Sequence, residues 1–293
     1  MNLPDFVPNV QIKHLLTMPD RYFQYQAGLA ETKSDFQCPK ECDAPGCWMD
    51  DINVEVTLFD LVRLSLDLNT PVSDLFFRHC HIGLGVFEIN PRYKRLLVKL
   101  KKPCPFLKET RCEVHGSKPL SCILFPEYHY IKGLLTELAK RPAFDRFPCL
   151  REEIIVSDKR SKALKELKKM GNREEALSSY LLFDAPSFII DSKPLTRLLK
   201  KENPKKEPFT IRDYSRLVHE KLKPTGLFDT IKNRMSTLDS LPGIMYLFEE
   251  LNDDTLMDPL VEKMVKPEMV FKIEGNQVKR VKRNIQSPEV IFM

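Results

Sequence analysis

Six cysteines lie in two short groups in the N-terminal half of the chain, and thiols at such spacing can bind a metal ion together. The first group spans ten residues in which proline and glycine shape a tight loop, and the second is also set among prolines. The groups are Cys38, Cys42 and Cys47, then Cys104, Cys112 and Cys122. We expect both groups to converge on one site, because a shared ligand is the simplest reason for their loop settings.

The chemistry of these thiols points to a soft metal. Thiolates favour zinc or an iron–sulfur cluster, such as a [4Fe–4S] cluster, over magnesium or calcium. The alternative is that the cysteines are small buried hydrophobic residues, as most unpaired cysteines are. Their clustering in two proline-bounded loops favours metal ligation. Such binding can contribute on the order of 10 kcal/mol to folding, so the N-terminal half is expected to depend on its metal.

Three further residues have ligand chemistry. Cys149 follows a proline near the end of the cysteine-bearing half and is included among the predicted metal ligands. Cys80 follows two phenylalanines of a predicted helix, and core packing is expected there. The imidazole of His115 accepts zinc or iron readily, but a packed or hydrogen-bonded histidine is the favoured interpretation.

The order of motifs around these cysteines is similar to a known pattern. The motifs are Phe36-x-Cys38-x3-Cys42, Gly46-Cys47, Val56-Thr57-x2-Asp60-x2-Arg63-Leu64, Pro103-Cys104-Pro105-Phe106-Leu107, Cys112-Glu113-Val114-His115, Lys118-Pro119-x2-Cys122 and Phe125-Pro126. They resemble the YkgJ-type cysteine-cluster family, described as a zinc- or iron-chelating domain. The resemblance covers roughly residues 36–150 and implies a metal site, although Trp48 stands where family members usually carry a cysteine beside Cys47.

The composition limits the classes of binding partner and the cellular compartment that we expect for this protein. Lys and Arg number 46 against 41 Asp and Glu, and the net charge of +5 is small for 293 residues, so no nucleic-acid partner is expected. The first residues, MNLPDFVPNV, lack the basic and apolar regions of an export signal. Apolar stretches fall short of the roughly 20 residues of a membrane helix. A cytoplasmic protein without membrane contact is expected, in a compartment where disulfides are rare.

The chain divides by composition into three parts. All eight cysteines lie at or before Cys149, and the sequence becomes rich in Lys, Glu and Leu from Ser157 onward. We predict an N-terminal extension (1–35), a cysteine-cluster metal-binding domain (36–150) and a helical C-terminal region (151–293). The fold class is α+β, predominantly helical, with short hairpins in the small cysteine-rich half and a β-hairpin at the end of the helical region. Because that region has its own apolar stripes, metal removal is expected to leave much of it intact.

Short sequence motifs predict where individual helices and strands begin and end. Capping boxes predict helices after Thr57 and Thr210, the first ending near Asn69, while Thr70-Pro71 predicts a second helix with proline at its first position. Two hairpins are predicted: one pairs residues 86–89 with residues 95–100, and the other pairs residues 269–273 with residues 278–281. Prolines are expected to end a helix at Pro242 and to form a flexible joint at Pro194, Pro204 and Pro208.

Two classes of function follow. The first is an accessory metalloprotein in which thiolates bind zinc or an iron–sulfur cluster and the helical region offers a surface for a protein partner. The second is a metalloenzyme that uses the cluster for group transfer or redox chemistry, since flagellin lysine methylases carry a loosely similar cysteine pattern. The sequence contains no G-x-G-x-x-G nucleotide loop and no C-x3-C-x2-C triplet, which favours the first class.

Overall fold

The computed structural model describes residues 32, 42–50, 52–86, 92–134, 144–150, 155–206, 208–274 and 277–282. The fold is mixed α+β. The helices are α1 (Pro45–Trp48), α2 (Leu58–Leu68), α3 (Val72–His79), α4 (Leu120–Leu124), α5 (Glu127–Ile131), α6 (Asp158–Phe183), α7 (Ser192–Glu202), α8 (Ile211–Leu222), α9 (Leu227–Thr237), α10 (Leu241–Asn252) and α11 (Asp254–Val265). The strands are β1 (Cys80–Val86), β2 (Tyr93–Leu100), β3 (Leu107–Lys108), β4 (Arg111–Cys112), β5 (Ile189–Asp191), β6 (Met269–Glu274) and β7 (Gln277–Lys282).

Both predicted capping boxes are confirmed. The Thr57 side chain accepts the N–H of Asp60, and the Asp60 carboxylate accepts the N–H of Thr57, so α2 begins where the sequence indicates and ends at a left-handed Asn69. Thr210 forms the same reciprocal pair at the start of α8. The prediction for α3 was wrong by one residue, because Pro71 is the N-cap and not the first helical position.

The first hairpin is longer than predicted. Strand β1 begins at Cys80, directly after α3, and pairs antiparallel with β2 from Cys80 opposite Leu100 to Val86 opposite Lys94. Gly83 and Gly85 weaken the strand pattern of this segment in the sequence, because glycine is depleted in strands. Gly85 is required by packing, because a Cβ there would lie 2.4 Å from the Leu97 side chain. Residues 87–89 of the predicted strand lie outside the described residues.

One sheet takes strands from both sides of residue 150. Its five strands lie in the order β1-β2-β5-β6-β7, with β5 antiparallel to β2 and parallel to β6. Strand β5 has three residues and no predicted counterpart, whereas the C-terminal hairpin of β6 and β7 is confirmed. The predicted cysteine-cluster domain and helical region therefore share one sheet.

The helices of the C-terminal region pack on the same core. The start of α2 is tied to α6 by two hydrogen bonds, from Thr57 Oγ1 to Glu174 at 3.1 Å and from the N–H of Leu58 to Ser178 at 2.9 Å. The Phe59 and Phe248 rings meet edge to face at 5.3 Å. Core packing thus continues across the predicted domain boundary.

Two prolines, one expected to end a helix and one expected to lie in a flexible joint, are inside helices. Pro242 is in the first turn of α10 rather than at the end of α9, and Pro194 is in the first turn of α7. The first turn tolerates proline, because its N–H groups have no helical acceptor. Within the described ranges, no helix combines the length and apolarity that a membrane crossing requires.

Candidate functional site

Cys47 is presented by a single helical turn. Ala44 adopts a left-handed conformation before α1, and the N–H of Cys47 donates to its carbonyl at 2.8 Å. The neighbouring Trp48 side chain donates from Nε1 to the backbone carbonyl of Asp43 at 3.0 Å. The centroid of its ring lies 4.9 Å from the guanidinium carbon of Arg146. This first loop is thereby held against the segment that precedes Cys149.

Cys104 lies directly beside Cys47. Strand β2 ends at Leu100, and the following residues lead to Cys104, whose N–H donates to the Cys47 carbonyl at 2.6 Å. Lys102 strengthens the junction, because its ammonium donates to the carbonyl of Gly46. The structure therefore brings the two predicted cysteine groups together at this pair.

Cys112 is positioned by the short β3–β4 hairpin. Cys112 pairs with Leu107, and Glu109 takes a positive φ of 55° at the turn between the two strands. The N–H of Glu113 donates to the Phe106 carbonyl at 2.9 Å, which closes the hairpin onto the residues that follow Cys104. A chain reversal of only a few residues thus returns Cys112 to the neighbourhood of Cys104.

Cys122 lies in α4, which is fixed to the beginning of α2. The N–H of Leu120 donates to Asp60 Oδ1 at 2.9 Å, and Ser121 Oγ donates to the Glu55 carbonyl at 2.9 Å. Asp60 is buried and also pairs with Arg63. One carboxylate therefore orients both α2 and the helix that carries Cys122.

The thiols from these segments interact electrostatically. A hydrogen bond shared by the Cys47 and Cys104 sulfurs lowers the pKa of Cys104, against the effect of burial, and the N–H of Phe106 and the Lys102 charge lower it further. The same hydrogen bond, with burial, raises the pKa of Cys47. Cys104 is thus the sulfur that this environment favours as a thiolate.

The other two thiols of the cluster are held in the protonated form. Burial, together with the nearby Cys104 charge, raises the pKa of Cys122 to about 12. Burial also raises the pKa of Cys112, opposed by a hydrogen bond from the N–H of Val114. In the part of the chain that the structure describes, no three Cys, His, Asp or Glu side chains stand at the separation needed to hold one ion.

The remaining predicted residues lie in different settings. Cys38 is outside the described residues, and Cys42 is a half-buried thiol. Cys149 is buried in a 3-10 turn at Pro148–Leu150. Cys80 is buried at the start of β1, in agreement with the expected core packing. His115 is exposed rather than packed, and the charge of Lys118 lowers its pKa.

Two residues of the site were not assigned by the sequence. Lys102 contacts the first cysteine loop, and its position directly before Pro103-Cys104 was the available signal. Asp60 was recognised as a helix cap, but its bond to Leu120 depends on the tertiary structure. Its place in the Thr57-x2-Asp60-x2-Arg63 pattern is compatible with either role.

Comparisons with family models, curated proteins and solved structures give no match for this chain. The resemblance to the YkgJ-type family stays a prediction from the motifs.

Proposed function

We propose that this chain is a thiolate metal-binding protein that takes zinc or an iron–sulfur cluster at the cysteine cluster around Cys104. The observation that carries the proposal is that backbone hydrogen bonds join the segments that carry the cysteines: the N–H of Cys104 donates to the Cys47 carbonyl at 2.6 Å, and the N–H of Glu113, next to Cys112, donates to Phe106, two residues after Cys104. The charge of Cys104 lies near enough to raise the pKa of Cys47, Cys112 and Cys122. Cys38, Cys42 and Cys149 remain predicted ligands that would complete the set.

Backbone donors support the proposal. The N–H of Phe106, two positions after Cys104, donates to its sulfur, and the N–H of Val114, two positions after Cys112, does the same. The N–H of Leu107 donates to the Cys104 carbonyl at 3.1 Å. Hydrogen bonds of this kind stabilise a thiolate over a thiol, and hydrogen bonds to sulfur tune the potential of iron–sulfur clusters. The loop around Cys104 therefore suits sulfur in its metal-binding form, and the N–H of Val114 partly offsets the effect of burial on Cys112.

Charge balance gives a second line of support. Several thiolates in one place repel one another, and a nearby cation reduces this repulsion. The Lys102 charge helps to lower the pKa of Cys104 and opposes the rise in the pKa of Cys47. When bound, zinc would cross-link the two loops, whereas an iron–sulfur cluster would also carry electrons. In either case, the protein residues orient the sulfurs and offset their charge.

The test is the metal content of anaerobically purified full-length protein. Brown protein with iron and sulfide would identify a cluster, and colourless protein with about one zinc per chain would identify a tetrahedral site. We expect Cys104→Ser to lose most of the metal and Cys80→Ala to keep it, with far-UV circular dichroism recorded for both. Full metal retention by Cys104→Ser, or a parent protein that binds neither zinc nor iron after reconstitution, would overturn the proposal.

A further inference from the structure

The two edges of the five-stranded sheet differ. At the β1 edge, the N–H of Leu84 donates to Ser215 Oγ of α8 at 3.0 Å, and Leu84 is fully buried. At the other edge, β7 pairs only with β6 among the described residues, and each of its six residues is exposed or half-buried. An edge strand directs the N–H and C=O of every second residue away from its neighbour. Strand β7 therefore offers backbone donors and acceptors to a further strand.

The side chains of β7 are strongly cationic. Three of its six residues are Lys279, Arg280 and Lys282, and none of the six is acidic. The register places Lys279 directly opposite Lys272 of β6, and like charges at such positions destabilise a strand pair. The ion pair of Lys279 with Glu274 at 3.1 Å is exposed and offsets this repulsion only weakly. Anionic side chains placed beside β7 would therefore be stabilised by several cations.

The cations of β7 lie on both faces of the sheet. Successive residues of a strand point to opposite faces, so Lys279 lies on one face and Arg280 and Lys282 lie on the other. The Arg280 guanidinium carbon lies 5.7 Å from the Phe271 ring centroid, and the Lys282 ammonium lies 3.9 Å from the Glu268 carboxylate. An added strand places side chains on both faces of its neighbour, whereas a nucleic-acid backbone laid on one face contacts the cations of that face alone. The arrangement favours a protein strand over a nucleic acid.

We propose that the β7 edge binds an extended, acidic segment of a partner protein, which adds to the sheet as a sixth strand. Backbone hydrogen bonds would supply affinity, and acidic side chains opposite Lys279, Arg280 and Lys282 would supply specificity. Apolar side chains of the partner would cover Val278 and Val281, which are half-buried. A second copy of β7 is disfavoured as the occupant, because its cations would face those of the first copy. The inference does not rest on the proposed metal site.

The test is a titration of the labelled peptide Glu-Val-Glu-Glu-Val-Thr with the full-length protein, followed by fluorescence anisotropy at about 50 mM salt, where charges are weakly screened. Aligned antiparallel from Lys282 to Gln277, this peptide places acids opposite the three cations and valines opposite the two valines. A control peptide with proline at both valine positions keeps the charge but cannot pair as a strand. We expect saturable binding of the first peptide and binding of the second that is weaker by about tenfold or more.

Lys279→Glu is the most informative variant, because the new carboxylate would face Lys272 and the hairpin should stay paired. We expect it to weaken binding of the acidic peptide about three- to tenfold. The matched change Lys232→Glu, at an exposed lysine of α9, should leave binding unchanged, and far-UV circular dichroism is recorded for both variants.

Equal binding of the two peptides, no binding by the parent, or equal effects of the two variants would overturn the inference. Preferential binding of a single-stranded DNA oligonucleotide that Lys279→Glu weakens, or dimerisation of the parent that this variant alters, would assign the edge to another partner and overturn it as well.

Discussion

The carboxylate of Asp60 accepts the backbone N–H of Leu120 at 2.9 Å, across 60 positions of sequence. The same side chain caps α2 through the N–H of Thr57 at 2.9 Å and pairs with Arg63. Asp60 therefore connects helix α2 to the helix that carries Cys122. Any change at Asp60 should affect both the stability of the fold and the position of that cysteine.

We expect Asp60→Ala to lower the free energy of unfolding by about 3–5 kcal/mol, because it removes the buried ion pair with Arg63, the bond to the N–H of Leu120 and the N3 carboxylate of the capping box. The Asp60 side chain is 1% exposed and the Arg63 side chain is 9% exposed. Urea denaturation of the metal-free protein measures the change.

The matched control is Asp74→Ala, which breaks the exposed ion pair with Arg78 one helix later. That pair should contribute no more than about 0.5 kcal/mol. Equal losses for the two variants would show that Asp60 does not connect the helices as the hydrogen bonds indicate.

A second prediction concerns the pH dependence of stability at Lys99. Its side chain is buried in strand β2, where the ammonium donates to the Leu84 carbonyl. Burial lowers the pKa of Lys99 to about 8 from 10.5, with Arg95 adding to the effect and Glu55 opposing it. Between these two values the unfolded chain binds more protons than the folded chain, so this residue makes the free energy of unfolding rise with pH. Below about pH 8 the full cost of burying the charge is present.

We expect Lys99→Met to be more stable than the parent by about 1–3 kcal/mol at pH 7, since a buried charge is replaced by an apolar chain of similar length. Glu55 keeps its ion pair with Arg95 at 3.3 Å in this variant. The advantage should shrink as the pH rises from about 8 to 10.5. Chemical denaturation at pH 7, 8.5 and 10 measures it.

Lys101→Met serves as the control, because the Lys101 ammonium is exposed and donates to carbonyls at the end of α3. Lys101→Met is measured at the same three pH values, so that the loss of one lysine ammonium from this strand end is compared with the loss of the buried one. A constant difference between Lys99→Met and the parent at all three pH values would contradict the assigned pKa.

A third prediction concerns unfolding of the whole chain. Strand β2 pairs with β5, and the Arg92 guanidinium meets Asp191 through two bonds at 2.9 Å and 2.6 Å beside this pairing. Because the sheet and core span residue 150, we expect one cooperative transition rather than separate melting of the cysteine-bearing half. This expectation replaces the independent melting suggested by the apolar stripes of the C-terminal helices.

Two probes on opposite sides of residue 150 test this. Trp48 is the only tryptophan and reports on the first cysteine loop, whereas circular dichroism at 222 nm reports mainly on the helices after Ser157. Their transitions should coincide. Asp191→Ala should shift both by the same amount, about 2–3 kcal/mol, since Asp191 also caps α7.

Arg216→Ala, which removes exposed ion pairs with Glu202 and Glu220, should shift neither transition by more than about 0.5 kcal/mol. Two separate transitions in the parent, or a shift of only one probe in Asp191→Ala, would show that the halves unfold independently.

The sequence by itself determined the elements whose signals are local. The capping boxes at Thr57 and Thr210 depend on side chains three residues from the backbone groups they satisfy, and both are present in the structure. The C-terminal hairpin follows from alternation on both sides of one turn. The grouping of the cysteines into two loops is likewise visible without coordinates.

The tertiary structure decided which distant residues meet. Strand β5 has three residues, too few for a periodic signal, and it forms because β2 and β6 lie on its two sides. The positions of Lys102 beside Gly46 and of Asp60 beside Leu120 depend on the same long-range packing. Cys104 reaches Cys47 for this reason, and its N–H donates to the Cys47 carbonyl at 2.6 Å. The grouping of the cysteines predicted that the two loops meet, but it could not indicate which residues touch, because such contacts depend on how whole helices and strands pack.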